Sequence, residues 1–337
     1  MTGRNVAIVG ATGAVGRTML SILEGRNFDV SDLRMFASSR SAGTRVETRW
    51  GDVVVEDLAL SDPSGVEVAL FSAGGARSKE FAPRFVDAGA VVIDNSSAFR
   101  MEPDVPLVVA GVNDEYAKGH NGIIANPNCT TMTLMMAAGP LHASLGLTSM
   151  VVSTYQSVSG MGMAALDELI AQVDLLRGDV DGLTDGSWVD PGSVAFPRPI
   201  GFNALPFAGN EAESGYTDEE WKLVNESRKI LSIPELLVEP TCVRVPVAVG
   251  HGISASLRFA SQTTSEAAIE ILNNAPGIEV WTDKVPTALD SAGIDDVLAG
   301  RIRPTLGEPG GLNLWVVGDN LRKGAALNAV QIAELLA

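Results

Sequence analysis

Val6-Ala7-Ile8-Val9-Gly10-Ala11-Thr12-Gly13-Ala14-Val15-Gly16 decides the fold. A short apolar run of strand length meets a glycine-rich turn. A segment with helical spacing, residues 15–23, follows at once. Glycines at a strand-to-helix turn let the backbone approach a pyrophosphate, which then lies at the helix N-terminus. The spacing is G-x-x-G-x-x-G, a variant of the usual fingerprint. Alone it would describe many structural βα turns; its place after a clean strand is what points to a dinucleotide. Gly10, Thr12, Gly13, Ala14, Val15 and Gly16 are therefore candidate cofactor residues.

The pattern continues outward from this turn. Residues 33–37, 68–71, 91–94 and 107–110 read as strands, and residues 79–88 as a helix. Such alternation predicts a mostly parallel sheet with helices on both faces, a Rossmann-type α/β domain. The second strand ends in Phe36-Ala37-Ser38-Ser39-Arg40-Ser41. Folds that prefer NAD usually place an acid there for the ribose 2′-hydroxyl. Here stand hydroxyls and an arginine, which suit a 2′-phosphate, so Ser38, Ser39 and Arg40 favour NADP. The plain alternative for Arg40 is a solvated loop residue.

From residue 147 the pattern changes. Strand runs lengthen at residues 149–157, 237–247 and 253–260, with helices at residues 164–176, 218–231 and 264–274 between them. This predicts an α+β domain with a mixed, largely antiparallel sheet. Residues 177–199, rich in Gly, Asp and Pro, read as an irregular excursion. Residues 314–318 form a last strand, and residues 324–336 a helix returning to the first domain. The expected division is 1–127 with 319–337 for the NADP-binding domain, and 128–318 for a catalytic and dimerisation domain.

The 337-residue chain has room for about two domains. With 46% hydrophobic residues and a mean hydropathy of +0.18 it can bury a large core. Its net charge of −17 argues against nonspecific nucleic-acid binding and against an anionic membrane surface. Two cysteines do not make a disulfide framework, so a reducing, cytoplasmic compartment is expected. The N-terminus enters a strand almost at once, without the apolar core of a signal peptide. The longest apolar run, residues 131–152, is interrupted by Gly139, Pro140 and His142. It reads as a helix, a turn and the next strand. No Cys/His spacing fits a metal site.

Asn126-Pro127-Asn128-Cys129-Thr130-Thr131 carries the chemistry. It places a thiol on a turn directly before a helical run. The positive end of a helix and its N–H groups favour the nucleophilic thiolate. The bland alternative is a small buried hydrophobe, the common fate of a free cysteine. Three further segments look chemical: Tyr155-Gln156-Ser157-Val158-Ser159-Gly160, Val243-Arg244-Val245, and Gly250-His251-Gly252. His251 is the candidate proton carrier for the thiol. Arg244, inside an apolar strand, needs an anion or a carboxylate partner.

Taken together, GATGAVG, ASSRSAG, FSAGG, DNSSAFR, NPNCTT, YQSVSG, EEWK, CVRVPV, GHG and GDNLRKGAALNAVQIAE resemble the aspartate-β-semialdehyde dehydrogenases along the whole chain. Met161 departs from the family, where many members carry a smaller residue. The resemblance implies NADP-dependent reductive dephosphorylation of L-aspartyl 4-phosphate to L-aspartate 4-semialdehyde. It implies a Cys129 thioester, with His251 moving the proton and Gln156 orienting the substrate. It further assigns Arg244 to the α-carboxylate, Glu219 to the ammonium, and Lys222, Arg100 and Asn128 to the phosphate. Ser72, Ser159, Gly160 and Asn320 would face the cofactor, and a homodimer is implied. Without the resemblance, Glu219 and Lys222 would read as an ordinary i,i+3 surface ion pair. Two other readings compete: an acyl-phosphate reductase of the same architecture acting on another acid, and a catalytically silent NADP-binding regulator.

Overall fold

The computed structural model describes residues 3–26, 28–307 and 309–336. The chain forms two compact units. The first comprises Met1–Gly139, Asn225–Glu235 and Leu321–Ala337; the second comprises Pro140–Val224 and Leu236–Asn320. Residues 1, 2, 27 and 337 of the expected first domain, and residue 308 of the second, lie outside the described residues.

The first unit holds β1 (Arg4–Val9), β2 (Val30–Ala37), the hairpin β3 (Arg45–Thr48) and β4 (Gly51–Val54), β5 (Glu56–Asp57), β6 (Val68–Phe71), β7 (Val91–Asp94) and β8 (Ile123–Ala125). Six of these make a parallel sheet in the order β5-β2-β1-β6-β7-β8. Both faces of such a sheet are covered, which is why its strands read as unbroken apolar runs. Alternate residues of β1 divide between two cores. Val6 and Ile8 pack with Met19 and Leu23 of α1 (Ala14–Gly25) and with the C-terminal Leu327 and Val330. Ala7 and Val9 share the other core with Phe81 and Phe85 of α2 (Gly75–Asp87). There Phe36 and Phe71 meet Phe85 edge-on at 5.4 and 5.1 Å, an arrangement the ring quadrupole favours.

The expected strand at residues 107–110 is not formed. Leu107 makes a single bridge to Ala125. The N–H groups of Val109 and Ala110 go instead to the side-chain oxygens of Asn113 and Asn328. Pro106 has no N–H to extend a ladder.

The second unit is built on α4 (Met163–Leu176), α5 (Val180–Asp185) and a six-stranded sheet. Its strands are β9 (Leu147–Gln156), β10 (Leu237–Arg244), β11 (His251–Phe259), β12 (Ile278–Trp281), β13 (Val297–Pro304) and β14 (Leu312–Gly318). The order is β10-β9-β11-β14-β13-β12, with three antiparallel pairings and two parallel ones. This is the mixed, largely antiparallel sheet expected. Strands β12 and β13 were not legible in the sequence. The expected irregular excursion at residues 177–199 contains only the short α5.

Helices α3 (Cys129–Leu145) and α6 (Asp218–Leu231) each contribute residues to both units. In α3 the helix runs through Gly139 and Pro140, and the turn falls at Gly146, whose φ is +71°. The first unit therefore extends past the expected limit at residue 127. It also takes residues 225–235, because Glu226 and Lys229 bond to residues 100–128: Glu226 to Arg100 and the Asn128 N–H, Lys229 to the carbonyls of Arg100, Glu102 and Val105.

Candidate active site

In the first unit the glycine turn sits where the strand order reverses, between β1 and β6. Open α/β sheets bind ligands at such a switch point, beyond the carboxyl ends of the strands. Gly10 has φ +87°, and a Cβ there would lie 2.2 Å from the Ser72 carbonyl oxygen. A Cβ on Gly16 would lie 2.3 Å from the Gly10 carbonyl oxygen. These two glycines serve close packing. Gly13 is different: its Cβ would meet only the Gly10 oxygen, at 3.3 Å. It caps α1 without a side chain, and no acid stands in the first turn. The helix start thus fits an anion. Thr12 Oγ1 bonds Ser41 Oγ at 3.3 Å, tying this turn to the one after β2. In that second turn Ser38 is half-buried, while Ser39 and Arg40 are exposed.

The nucleophile candidate stands in the same unit. Asn128 caps α3: its Oδ1 accepts from the N–H groups of Thr130 (2.9 Å) and Thr131 (3.2 Å). Cys129 is thereby the first helical residue, half-buried. Glu226 was missed in the sequence. Its carboxylate joins Arg100 Nη1 (2.9 Å) to the N–H of Asn128 (2.7 Å). Arg100 also donates from Nε to the Asn126 carbonyl and from Nη2 to the Asn95 carbonyl. Three of its five N–H donors are thus committed. Cys242, in the second unit, is fully buried, and burial pushes its thiol up to about 12.

In the second unit the remaining candidates gather at one end of the sheet. Gln156 and Arg244 are register partners at the ends of β9 and β10. His251 opens β11, paired with Gly318, two residues before Asn320. Arg244 is buried and donates from Nη1 to the Ser157 carbonyl at 2.7 Å. Gln156 donates to Thr154 Oγ1 at 3.3 Å. Gly160 leaves room: a Cβ there would lie 3.6 Å from His251 Nε2 and 3.8 Å from Arg244 Nη1.

Asn320, expected beside the cofactor, is buried within a network. Its Oδ1 accepts from the Gly250 N–H (2.9 Å), Ser157 Oγ (3.0 Å) and Ser159 Oγ (3.3 Å). It thereby ties together the two glycine loops of this end. His251 is fully buried; its Nδ1 accepts from the Ser157 N–H at 3.1 Å. Burial, and then the Arg244 guanidinium, push the imidazole down to about 3, while Glu219 and the Gly250 backbone pull the other way.

On α6, Lys222 Nζ bonds Glu219 (3.0 Å) and Asp218 (3.4 Å), so the i,i+3 ion pair exists, partly buried. The adjacent Glu220 does a separate job. It accepts from the Thr217 N–H in a reciprocal cap and from the Cys242 N–H at 2.9 Å. That second bond satisfies a donor on the outer edge of β10, where Arg244 exchanges both backbone bonds with Leu205.

Fold and comparisons together define a two-unit, nucleotide-binding dehydrogenase, with Cys129 at a helix start as its candidate nucleophile. The family model described as "Semialdehyde dehydrogenase, NAD binding domain" matches residues 5–120. The one described as "Semialdehyde dehydrogenase, dimerisation domain" matches residues 139–323. The aspartate-semialdehyde dehydrogenase of Streptomyces akiyoshiensis is 53% identical, over 98% of both chains. The crystal structure of aspartate semialdehyde dehydrogenase II from Vibrio cholerae, complexed with ASA, superposes with a TM-score of 0.94 at 43% identity; it covers 100% of this chain and 98% of that one. The Candida albicans enzyme with NADP gives 0.75 at 26% identity, over 99% and 98%. The chain belongs to the aspartate-semialdehyde dehydrogenase family.

Proposed function

We propose that this protein reduces L-aspartyl 4-phosphate to L-aspartate 4-semialdehyde with NADPH, releasing phosphate, in the biosynthesis of lysine, methionine and threonine. The observation that carries this reading is Cys129 at the first residue of α3, in a chain that aligns end to end with the family. The Cys129 thiolate attacks the acyl carbon, phosphate leaves, and a thioester remains. The reduced nicotinamide supplies a hydride to the thioester carbonyl. Gln156 orients the acyl group, and His251 serves its oxygen.

Arg244 holds the α-carboxylate with the planar fork that lysine lacks. Its bond to the Ser157 carbonyl fixes the guanidinium in advance. Glu219 receives the substrate ammonium. Lys222, Asn128 and the two uncommitted donors of Arg100 receive phosphate. The glycine turn with Gly10, Thr12, Gly13, Ala14, Val15 and Gly16 takes the pyrophosphate. Ser38, Ser39 and Arg40, with no carboxylate among residues 37–41, take the 2′-phosphate. Ser72, Ser159, Gly160 and Asn320 would face the cofactor.

A homodimer is supported by the open face of the second unit's sheet. There Val151, Tyr155 and Leu237 are exposed among Ser149, Ser153, Thr241 and Ser254. Among the described residues no helix is long and apolar enough to cross a membrane. Neither cysteine forms a disulfide among the described residues, which suits the cytoplasm. Phosphate-dependent reduction of NADP by aspartate semialdehyde tests the reading. A purified protein that catalyses it only with N-acetylglutamate semialdehyde, or not at all, sinks it.

A further inference from the structure

Helix α6 does more for the phosphate subsite than carry Lys222. Glu226 and Lys229 stand at i and i+3 on it and so share a face. Both belong to the first unit, and both reach Arg100. Glu226 takes the guanidinium at Nη1, 2.9 Å away, in a pair whose side chains are 2% and 9% exposed. Its other oxygen takes the N–H of Asn128 at 2.7 Å. Lys229 Nζ donates to the carbonyls of Arg100 (2.7 Å), Glu102 (2.7 Å) and Val105 (2.8 Å). One helix face thus grips the arginine at its backbone and at its tip.

Stability alone does not account for this grip. A dry ion pair recovers little beyond the cost of desolvating its charges, and a well-packed apolar pair would serve a core as well. What the pair supplies is a fixed direction. With Nη1 on Glu226, Nε on the Asn126 carbonyl and Nη2 on the Asn95 carbonyl, the guanidinium plane is set before any anion arrives.

Resting on the dehydrogenase reading above, we propose that Glu226 and Lys229 are positioning residues that aim Arg100 at the phosphate without touching substrate themselves. Their effect is confined to the step that phosphate enters. In the oxidising direction the Cys129 thiolate adds to the aldehyde carbon. The resulting alkoxide passes a hydride to NADP, and a thioester remains. Phosphate then attacks the thioester carbonyl, and the C–S bond breaks. Only this last step uses Arg100. The thiol's own setting does not rest on Glu226, because Asn128 Oδ1 caps α3 with two bonds of its own.

Removing the Glu226 charge has two opposed consequences. The pocket loses a negative charge, which favours phosphate. Arg100 loses a fixed acceptor, and its fork turns away. Orientation wins, because a misplacement of about 1 Å costs about 100-fold.

Stopped-flow mixing with aspartate semialdehyde and NADP reads the two steps apart. The first burst of NADPH needs no phosphate; steady turnover does. Glu226→Gln offers one oxygen where two are used, Glu226→Asp keeps the charge but falls a methylene short, and Lys229→Met frees three carbonyls. Each should keep the burst rate and lower kcat/KM for phosphate, by about 10- to 100-fold. Equal losses in burst and turnover make the grip merely structural and overturn the proposal, as do unchanged kinetics. A lower KM for phosphate in Glu226→Gln beside a wild-type-like Glu226→Asp makes the carboxylate a charge device, and also overturns it. Lys229 is half-buried, so Lys229→Met carries the same test if the Glu226 variants do not fold. These outcomes defeat this inference alone, whereas a wild-type protein with neither burst nor turnover defeats the dehydrogenase reading.

Discussion

Replacing Gly13 and Gly16 by alanine separates two uses of glycine within one turn. At Gly16 the new methyl would stand 2.3 Å from the Gly10 oxygen and 2.8 Å from the Ala11 Cα. Both are backbone atoms and cannot swing aside. Overpacking of this kind costs up to about 3 kcal/mol, and alanine returns about 1 kcal/mol of helix propensity, so the net loss is about 2 kcal/mol. At Gly13 the methyl meets one oxygen at 3.3 Å, and φ is −75°. Glycine is a better cap than alanine, so the loss there is about 0.5–1 kcal/mol. The Gly13 methyl would, however, stand between the uncapped helix start and an incoming phosphate. Loss of one charge-assisted hydrogen bond, about 1.5–3 kcal/mol, weakens NADP binding roughly 10- to 150-fold. Thermal unfolding without cofactor and calorimetric titration with NADP measure the two effects independently. The reasoning is refuted if Gly13→Ala binds NADP like wild type, or if Gly16→Ala unfolds no earlier than Gly13→Ala.

Cys129→Ser should abolish phosphate-dependent turnover while NADP still binds, and Cys242→Ala should retain it; a turning-over Cys129→Ser protein removes that thiol from the chemistry. In the native protein iodoacetamide should modify Cys129 and spare Cys242, whose buried thiol, pushed up to about 12, holds almost no thiolate near neutral pH; mass spectrometry of the modified peptides decides. Arg40→Ala should raise KM for NADP more than for NAD, and equal effects would show that Arg40 does not touch the 2′-phosphate. Arg244→Lys should weaken the semialdehyde, and Arg100→Ala should weaken phosphate, each by about 2–3 kcal/mol or roughly 30- to 150-fold. Reversed effects in a crossed titration of both substrates would exchange the two subsites.

Periodicity made some of this molecule legible and left the rest hidden. Strand β1, the glycine turn and α1 are readable because burial on both faces enforces an apolar run, and a sharp turn demands glycine. Residues 107–110 carry an equally apolar run, yet side-chain amides of Asn113 and Asn328 claim its N–H groups. No local pattern announces that. Cys129 was legible because its turn and helix adjoin it in sequence. Glu226 was not, because its two partners lie about a hundred residues away. Glu219 and Glu220 look alike in sequence, and only the fold separates an ion-pairing acid from one that bonds backbone N–H groups.

The carboxylate of Glu220 has a further consequence, for colloidal behaviour. An outermost strand with unpaired N–H and C=O groups is a template on which another chain can add, and proteins survive by blunting such borders. Strand β10 is a border of this type. At Cys242 its N–H is occupied by Glu220, and at Arg244 both backbone groups are occupied by Leu205. Truncating Glu220 would bare the middle of that border while leaving every proposed reacting group in place. Its first symptom should be turbidity in concentrated solution, visible by light scattering before any fall in turnover per folded molecule.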